Sequence, residues 1–365
     1  MSTVLRVLDL GTVSVARSQA VYHGIAEAMR ADDDPVLSLV SPDAPYVCIG
    51  MHQDVAAEVD EDYCREAGLP ILRRQVGGGA VYLDQNQLFF HFISPREKAP
   101  RRVTDIYAFH VAPVLATYQS LGIPARLRPI NDIHVDDRKI GGTGAAQIGD
   151  ATVFVGSFML DFDTVTMARC LKVPSEKFRD KLRSTLQDYI TTIRRELGTV
   201  PPRDTLTSLF RQHVARHCDA ELRSDDLRPD ERAAVVAWEQ KLQTSDWLRQ
   251  PGTRRVPEGI KITGGLHLGE GIHKAPGGLL RVRLLSRDDR IADLHISGDF
   301  TCMPVSGIAA LTDALMGMDL RGDLPARIDP LMTSLALDMP GVTAQDLATA
   351  LHNAHRPVDE RARAG

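Results

Sequence analysis

The 365-residue chain is predicted to form a mixed α/β fold of the α+β kind, followed by a small second α+β domain. Three observations predict this. Strand-like and helical stretches alternate irregularly, without the steady βαβ rhythm of a doubly wound sheet. The length exceeds one small core and suits two domains. The stretch "RQPGTRRVPEG", Arg249 to Gly259, carries two prolines, two glycines and three arginines and reads as a linker. The expected units are therefore residues 1–250 and 257–352.

The elements justify themselves in order. "ARSQAVYHGIAEAMR" places Val21, Ile25, Ala28 and Met29 at helical spacing. "PYVCIG" reads as a buried strand, and "VAAEVDEDYCREAG" as a helix closed by Gly68. "AVYL" and "LFFHFI" are two strand runs joined by "DQNQ", the pattern of a hairpin. Thr104 to Leu121 is a helix stopped by Gly122, with Pro124 beyond. "INDIHVDDRKIGG" reads as a second hairpin and "TVFVGSFMLDF" as a strand, after which Val165 to Leu248 is helical in pattern. In the second unit, "LLRVRLLS" and "IADLHISGDF" are strands and Val305 to Met316 a helix, while the tail "HRPVDERARAG" is expected to fray.

Composition narrows the function classes. Hydrophobic residues make up 43% and charged residues 25%, ordinary values for a globular protein. A net charge of -5 argues against a nucleic-acid partner. No run of 18 apolar residues exists, and the first residues lack a basic segment followed by an apolar one. Five scattered cysteines without a CxxC suit reduced thiols better than disulfides or a zinc site. The expectation is a soluble, cytoplasmic, monomeric protein without a membrane partner.

Two motifs carry the chemistry. "RRQVGGGAVYLD", Arg73 to Asp84, sets two arginines before three consecutive glycines. Glycines leave backbone N–H groups free to converge on an anion, and arginines add charge-assisted bonds. The spacing is neither GxGxxG nor GxxxxGK[ST]. Locally, an anion cradle and an ordinary turn with two solvated arginines both remain open. The second motif is "NDIHVDDRKIGGTG", Asn131 to Gly144. A two-residue turn at Asp136-Asp137 sets His134 opposite Lys139 and Ile133 opposite Ile140. Asp132, His134 and Lys139 then share one face, where the lysine can neutralise a carboxylate and a phosphate as they meet. A solvated hairpin lysine is the alternative.

Taken together, these segments resemble the lipoate–protein ligase family of the biotin/lipoate ligase superfamily. "RRQVGGGAVYLD" is similar to the family's arginine–glycine motif, and "NDIHVDDRKIGGTG" to its Asn-Asp strand and catalytic lysine. "VGSFMLDFD" with "ARCLKVPSEK" resembles the segment that usually opens His-Gly-Thr or His-Gly-Ser. "GIHKAPGGLLRVRL" and "IADLHISGDF" resemble the accessory domain that assists activation in these ligases.

The resemblance implies a mixed sheet flanked by helices and an enzyme that activates lipoate with Mg-ATP to lipoyl-AMP. The lipoyl group then passes to a lysine of an acceptor lipoyl domain, and octanoate is a second candidate substrate. Lys139 is the implied catalytic residue. Arg73, Arg74, Gly77, Gly78, Gly79, Ala80, Val81 and Tyr82 would line the adenylate. Asn86, Asn131, Asp132, Gly156 and Ser157 would complete the site, with Asp132 near the magnesium ion. In the accessory domain the residues singled out are His273, Lys274, Gly277 and Gly278. Two family histidines are absent, since Leu83 follows the glycine motif and Val155 precedes Gly156. The alternatives are an ATP-independent octanoyl or lipoyl transferase with a cysteine nucleophile, and a catalytically silent lipoyl-binding relative.

Overall fold

A computed structural model describes residues 3–250, 261–262 and 266–355. Most of the expected linker and all but the first residue of the expected tail lie outside the described residues. The first unit begins with β1 (Thr3–Val13), α1 (Val15–Ala28), β2 (Val36–Pro42), β3 (Tyr46–Ile49), α2 (Val55–Glu58), α3 (Glu61–Glu66), β4 (Ile71–Arg73), β5 (Val81–Leu83) and β6 (Gln87–Pro95). It continues through α4 (Val103–Ser120), β7 (Arg126–Arg128), β8 (Asp132–Val135), β9 (Arg138–Ile148) and β10 (Ala151–Met159). It closes with α5 (Thr164–Cys170), α6 (Glu176–Tyr189), α7 (Ile193–Leu197), α8 (Arg203–Cys218), β11 (Ala220–Ser224), α9 (Pro229–Leu242) and α10 (Ser245–Leu248). The second unit holds β12 (Lys261–Ile262), β13 (Leu266–Ala275), β14 (Gly278–Arg287), β15 (Arg290–Gly298), α11 (Gly307–Leu315), α12 (Leu324–Ser334) and α13 (Ala344–His355).

The main sheet is mixed, in the order β11-β1-β2-β6-β10-β9-β8-β7. β1 pairs in parallel with β11 and β2, and the strands from β6 to β7 run antiparallel to their neighbours. A small sheet β4-β3-β5 stands beside it, and the second unit has its own antiparallel sheet β12-β13-β14-β15. The mixed α/β architecture with a small C-terminal α+β unit is thus as the sequence predicts.

The continuous apolar run of β6 follows from its central position, because helices cover both faces of the sheet. Alternation sends Leu88, Phe90 and Phe92 into a core shared with α4 and α8, alongside Phe154, Phe158 and Phe210. Phe89 and Ile93 point the other way, toward Val21 and Ile25 of α1. That second face also carries the site.

Four local expectations change. "AVYL" and "LFFHFI" do not form a hairpin: β5 pairs with β3, whereas β6 pairs with β2 and β10. The turn between them, in which Asp84 accepts from the amides of Asn86 and Gln87, moves the chain from one sheet to the other. The helix expected over Val55 to Gly68 breaks at Val59-Asp60, where Asp60 caps a new helix by accepting from the Tyr63 amide. Across the second hairpin His134 opposes Lys139 as expected, but a bulge sets Ile133 opposite Gly141 rather than Ile140. Within the stretch expected to be helical, β11 adds a parallel strand to the free edge of β1 after Asp219 turns the chain at φ 47°.

His23, His91 and His110 are buried in these layers, and burial lowers their pKa values to about 3, 3 and 4. The unfolded chain titrates the same groups near about 6.5. Between those values the unfolded state binds more protons, so stability is complete above pH ~6.5 and falls as pH drops. The loss is about 1.4 kcal/mol per pH unit for each histidine. Denaturant unfolding is expected to give a free energy roughly 3–6 kcal/mol lower at pH 5 than at pH 7, with a smaller drop in His110→Phe. Equal stability at the two pH values would contradict the burial of neutral imidazoles.

Candidate active site

The two arginines that open the glycine motif do different work. Arg73 is 3% exposed, and its guanidinium donates to the carbonyls of Leu248, Gly50, Met51 and Gln53 at 2.7–3.1 Å. Burial lowers its pKa to about 10, so it stays charged at neutral pH. The Trp247 indole N–H returns a bond to the Arg73 carbonyl at 2.8 Å. The Arg73 side chain has turned away from the ligand face expected of it and ties β4 to the turn at residues 50–53 and to the end of α10. Arg74 donates to Cys48 O at 3.1 Å and, through Nη2, to both Gly77 O and Gly79 O at 2.9 Å. These bonds curl the glycine run around the guanidinium, with Gly78 at φ 92°.

Gly78 is required by its left-handed backbone, and at Gly77 and Gly50 other backbone comes too close for a side chain. A Cβ on Gly77 would stand 2.6 Å from Phe300 O of the second unit. A Cβ on Gly50 would stand 2.0 Å from Gly78 O. The glycine cluster after Lys139 makes room for side chains instead: a Cβ on Gly144 would lie 2.4 Å from a methyl of Val76, and one on Gly142 3.2 Å from Lys139 Nζ. Val76 and the lysine side chain therefore rest directly on bare strand β9.

Between this loop and the β6–β10–β9 face lies a cavity of about 310 Å³. Its walls include Arg74, Val76, the run from Gly77 to Leu83, Phe89, Val155, Gly156, Ser157 and Met159, with Phe162, Met167, Leu186 and Tyr189 closing it. Asn131 and Lys139 line it as well. Lys139 is one-third exposed and pairs with Asp132, Nζ to Oδ1 2.8 Å. His134 behind them is buried, and its Nε2 lies 3.3 Å from the Tyr189 hydroxyl. Asn131 is locked to Thr143: its Nδ2 donates to Thr143 O at 2.7 Å, and Thr143 Oγ1 donates to Asn131 O at 2.9 Å.

The fold thus gathers Arg74, Gly77, Gly78, Gly79, Ala80, Val81, Tyr82, Asn131, Lys139, Gly156 and Ser157 at one cavity, with Asp132 joined through the lysine. Asn86 lies apart from it: the side chain donates to Asp84 Oδ2 at 3.3 Å, and its carbonyl accepts from Leu160. Leu83 and Val155, where the resemblance leads one to expect histidines, both line this cavity with apolar side chains. The accessory residues stand outside it. His273 bonds to Asp346 at 2.8 Å, Gly277 donates to Gly341 O at 2.7 Å, and a Cβ on Gly278 would meet Asp299 Oδ1 at 2.7 Å.

Sequence reading missed the polar lining contributed by Gln19, Tyr22, His91 and Gln87. A glutamine opening an otherwise apolar strand was the available signal for Gln87. It is buried, and neither its Nε2 nor its Oε1 has a hydrogen-bond partner among the described residues. An unpaired buried amide costs about 1–3 kcal/mol, and an apolar residue of similar shape removes that cost. Gln87→Met is therefore expected to raise the thermal midpoint by a few degrees. A lowered midpoint would mean that the amide is bonded after all.

The second unit grips the turn after β3, beside the glycine loop, from outside. Arg283 pairs with Asp54 at 2.9 Å, Gly298 donates to His52 O at 2.8 Å, and the His52 and Phe300 rings stack at 5.1 Å.

Residues 14–216 match the model of the lipoyl protein ligase A/B catalytic domain. Lipoate-protein ligase A subunit 1 of Thermoplasma acidophilum is 27% identical over 248 residues, covering 64% of this chain and 90% of that one. Octanoyltransferase LipM of Kyrpidia tusciae is 24% identical over 266 residues, 66% of this chain and 97% of that one. The bipartite lipoate protein ligase of Thermoplasma acidophilum, described with its E2 lipoyl domain, superposes with a TM-score of 0.62 at 25% identity. That match covers 70% of this chain and all of the other. With more than half its length matched by that model, the chain belongs to the lipoyl protein ligase A/B family.

Proposed function

We propose that this protein is an ATP-dependent lipoate–protein ligase acting on a lysine of an acceptor lipoyl domain. The observation that carries the reading is Lys139, paired with Asp132, in the wall of a largely apolar cavity bounded by the Arg74-bound glycine run. The walls suit a chain of about eight carbons, each buried CH₂ contributing about 0.8 kcal/mol. The lysine supplies the charge that the carboxylate end requires.

In the first step the lipoate carboxylate attacks the α-phosphorus of ATP, forming lipoyl-AMP and expelling pyrophosphate. In the second, the acceptor lysine amine attacks the mixed anhydride, forming an amide and releasing AMP. Lys139 donates to the carbonyl and phosphate oxygens in both steps, where one preorganised donor is worth a few kcal/mol. Asp132 holds the ammonium in place, and Arg74 keeps the glycine N–H groups aimed along the cavity. Magnesium would come with the ATP phosphates and help neutralise them, and Asp132, beside Lys139, is the carboxylate that would hold it. Among the described residues no cluster of three His, Cys, Asp or Glu side chains is arranged to hold a metal alone.

The octanoyltransferase reading requires a cysteine nucleophile. Cys48, Cys64, Cys170 and Cys302 are buried and Cys218 half-buried, and none of the five lines the cavity. This favours the ligase. Lipoate and octanoate differ only at the far end of the chain, so apolar contacts separate them weakly.

Incubation with ATP, lipoate and a purified lipoyl domain is expected to add one lipoyl mass to the acceptor. Label from an acyl carrier without ATP would establish the transferase instead, and no label on several acceptors a silent relative. Lys139→Ala is expected to cut pyrophosphate release by about 10²–10³-fold. Near-normal release from that variant would remove Lys139 from the mechanism.

A further inference from the structure

Acylation of a protein lysine brings a second macromolecule to the rim of the cavity, and α6 (Glu176–Tyr189) stands at that rim. None of its 14 residues is fully buried, although the helix is amphipathic. Phe178, Leu182, Leu186 and Tyr189 fall on one side of it, at the spacing of successive turns. Leu186 and Tyr189 line the cavity. Phe178, at the other end of the stripe, is 59% exposed, more than any other large apolar side chain among the described residues. The stripe therefore runs from the cavity wall onto open surface, about 16 Å away along the helix axis.

The helix is held at both ends. Near its start Arg179 pairs with Asp60 at 3.1 Å and donates to the carbonyls of Ala168 and Arg169 at the end of α5, at 3.0 and 2.9 Å. Just past its end Ile190 bridges to Lys139, and the Thr191 amide donates to the Lys139 carbonyl at 2.9 Å. Phe178 is thus fixed relative to Lys139 while its ring is left uncovered.

Charge marks the kind of partner that fits. Lys177 and Lys181, one turn apart, flank the stripe on one side and Arg183 on the other, all three exposed. Among the described residues none of the three makes an ion pair, whereas Arg179 is occupied by Asp60 and Glu176. Glu176 and Asp180 lie on the opposite side of the helix, and Asp188 lies almost two turns beyond Lys181, toward the cavity. On a chain of net charge -5, unpaired cations around an uncovered ring reverse the local sign. Such a surface suits an acidic partner, with the ring as anchor and the cations speeding and orienting the encounter.

We propose that α6 is the docking face for the acceptor domain, with Phe178 seated against an apolar patch of that domain and Lys177, Lys181 and Arg183 meeting carboxylates beside its target lysine. The inference rests on the reading above that this cavity serves a protein lysine. An interface of ordinary size, about 800 Å² per partner, spans the distance from Phe178 to the cavity rim.

Hydroxylamine, a nucleophile too small to need a docking face, separates this role from the chemistry. With a purified lipoyl domain, Phe178→Ala is expected to raise the acceptor KM about 10- to 50-fold. Lys177→Glu combined with Lys181→Glu should lower acceptor kcat/KM by about the same factor. Lipoyl hydroxamate formation from ATP, lipoate and hydroxylamine should stay within about twofold in both variants. Raising salt from about 0.05 to about 0.3 M should weaken use of the domain by the unaltered protein more than use of hydroxylamine. Equal losses with both nucleophiles would show a helix that only roofs the cavity, and an unchanged acceptor KM a solvated face; either overturns the proposal. Titration calorimetry of the unmodified lipoyl domain keeps the two readings apart. Binding that weakens in the variants upholds docking even where the unaltered protein releases no pyrophosphate, in which case the ligase reading alone fails. Equal binding in all three proteins overturns docking, whatever the chemistry.

Discussion

The structure around the site depends on one buried cation. Arg73 sits in the interior with its N–H groups shared among carbonyls, and it crosses from β4 to the turn after β3 and to the end of α10. A guanidinium taken out of water is costly unless its donors are filled, and here carbonyl dipoles fill them in place of a carboxylate. Loss of any one segment would leave buried donors unpaired. The glycine run starts immediately after this anchor, so its position is inherited from contacts far along the chain.

From that anchor the site is assembled by close approach. Arg74 gathers the carbonyls of Gly77 and Gly79, Val76 drops onto Gly144, and Lys139 lies over Gly142. Bare backbone at these positions lets two layers come nearer than side chains would allow. The result is a cavity with largely apolar walls in which Lys139 and Arg74 are held by their own partners. Strand alternation divides the labour, because one face of β6 builds the aromatic core while the other faces the cavity.

The second unit belongs to the same assembly. His52, Asp54 and Glu58, which follow the Arg73-bound turn, meet Phe300, Arg283 and Arg281 across the boundary. The loop that bounds the cavity is therefore held on one side by Arg74 and met on the other by the carbonyl of Phe300. A shift of the second unit would be felt at Gly77, against which Phe300 lies.

Much of this was legible in the sequence because it is local. The mixed fold, the Asp136-Asp137 turn, the facing of His134 and Lys139, and the two glycine clusters all follow from residue type and spacing over a dozen positions. The family resemblance placed these segments in one site. What the sequence could not reveal depends on distant partners. The change of sheet between β5 and β6 rests on which edge each strand finds, and β11 forms only because β1 leaves an edge free. Arg73 and Arg74 are adjacent and chemically identical, and only the packing of residues 48–53 and 247–248 turns one into a structural pin and the other into the spine of the glycine loop. Asn86 and Gln87 divide in the same way, one spent in a turn and its neighbour lining the cavity. The sequence by itself determined which groups were available, and the tertiary structure decided which were spent, because a donor's role is set by the acceptors that folding brings within 3 Å of it.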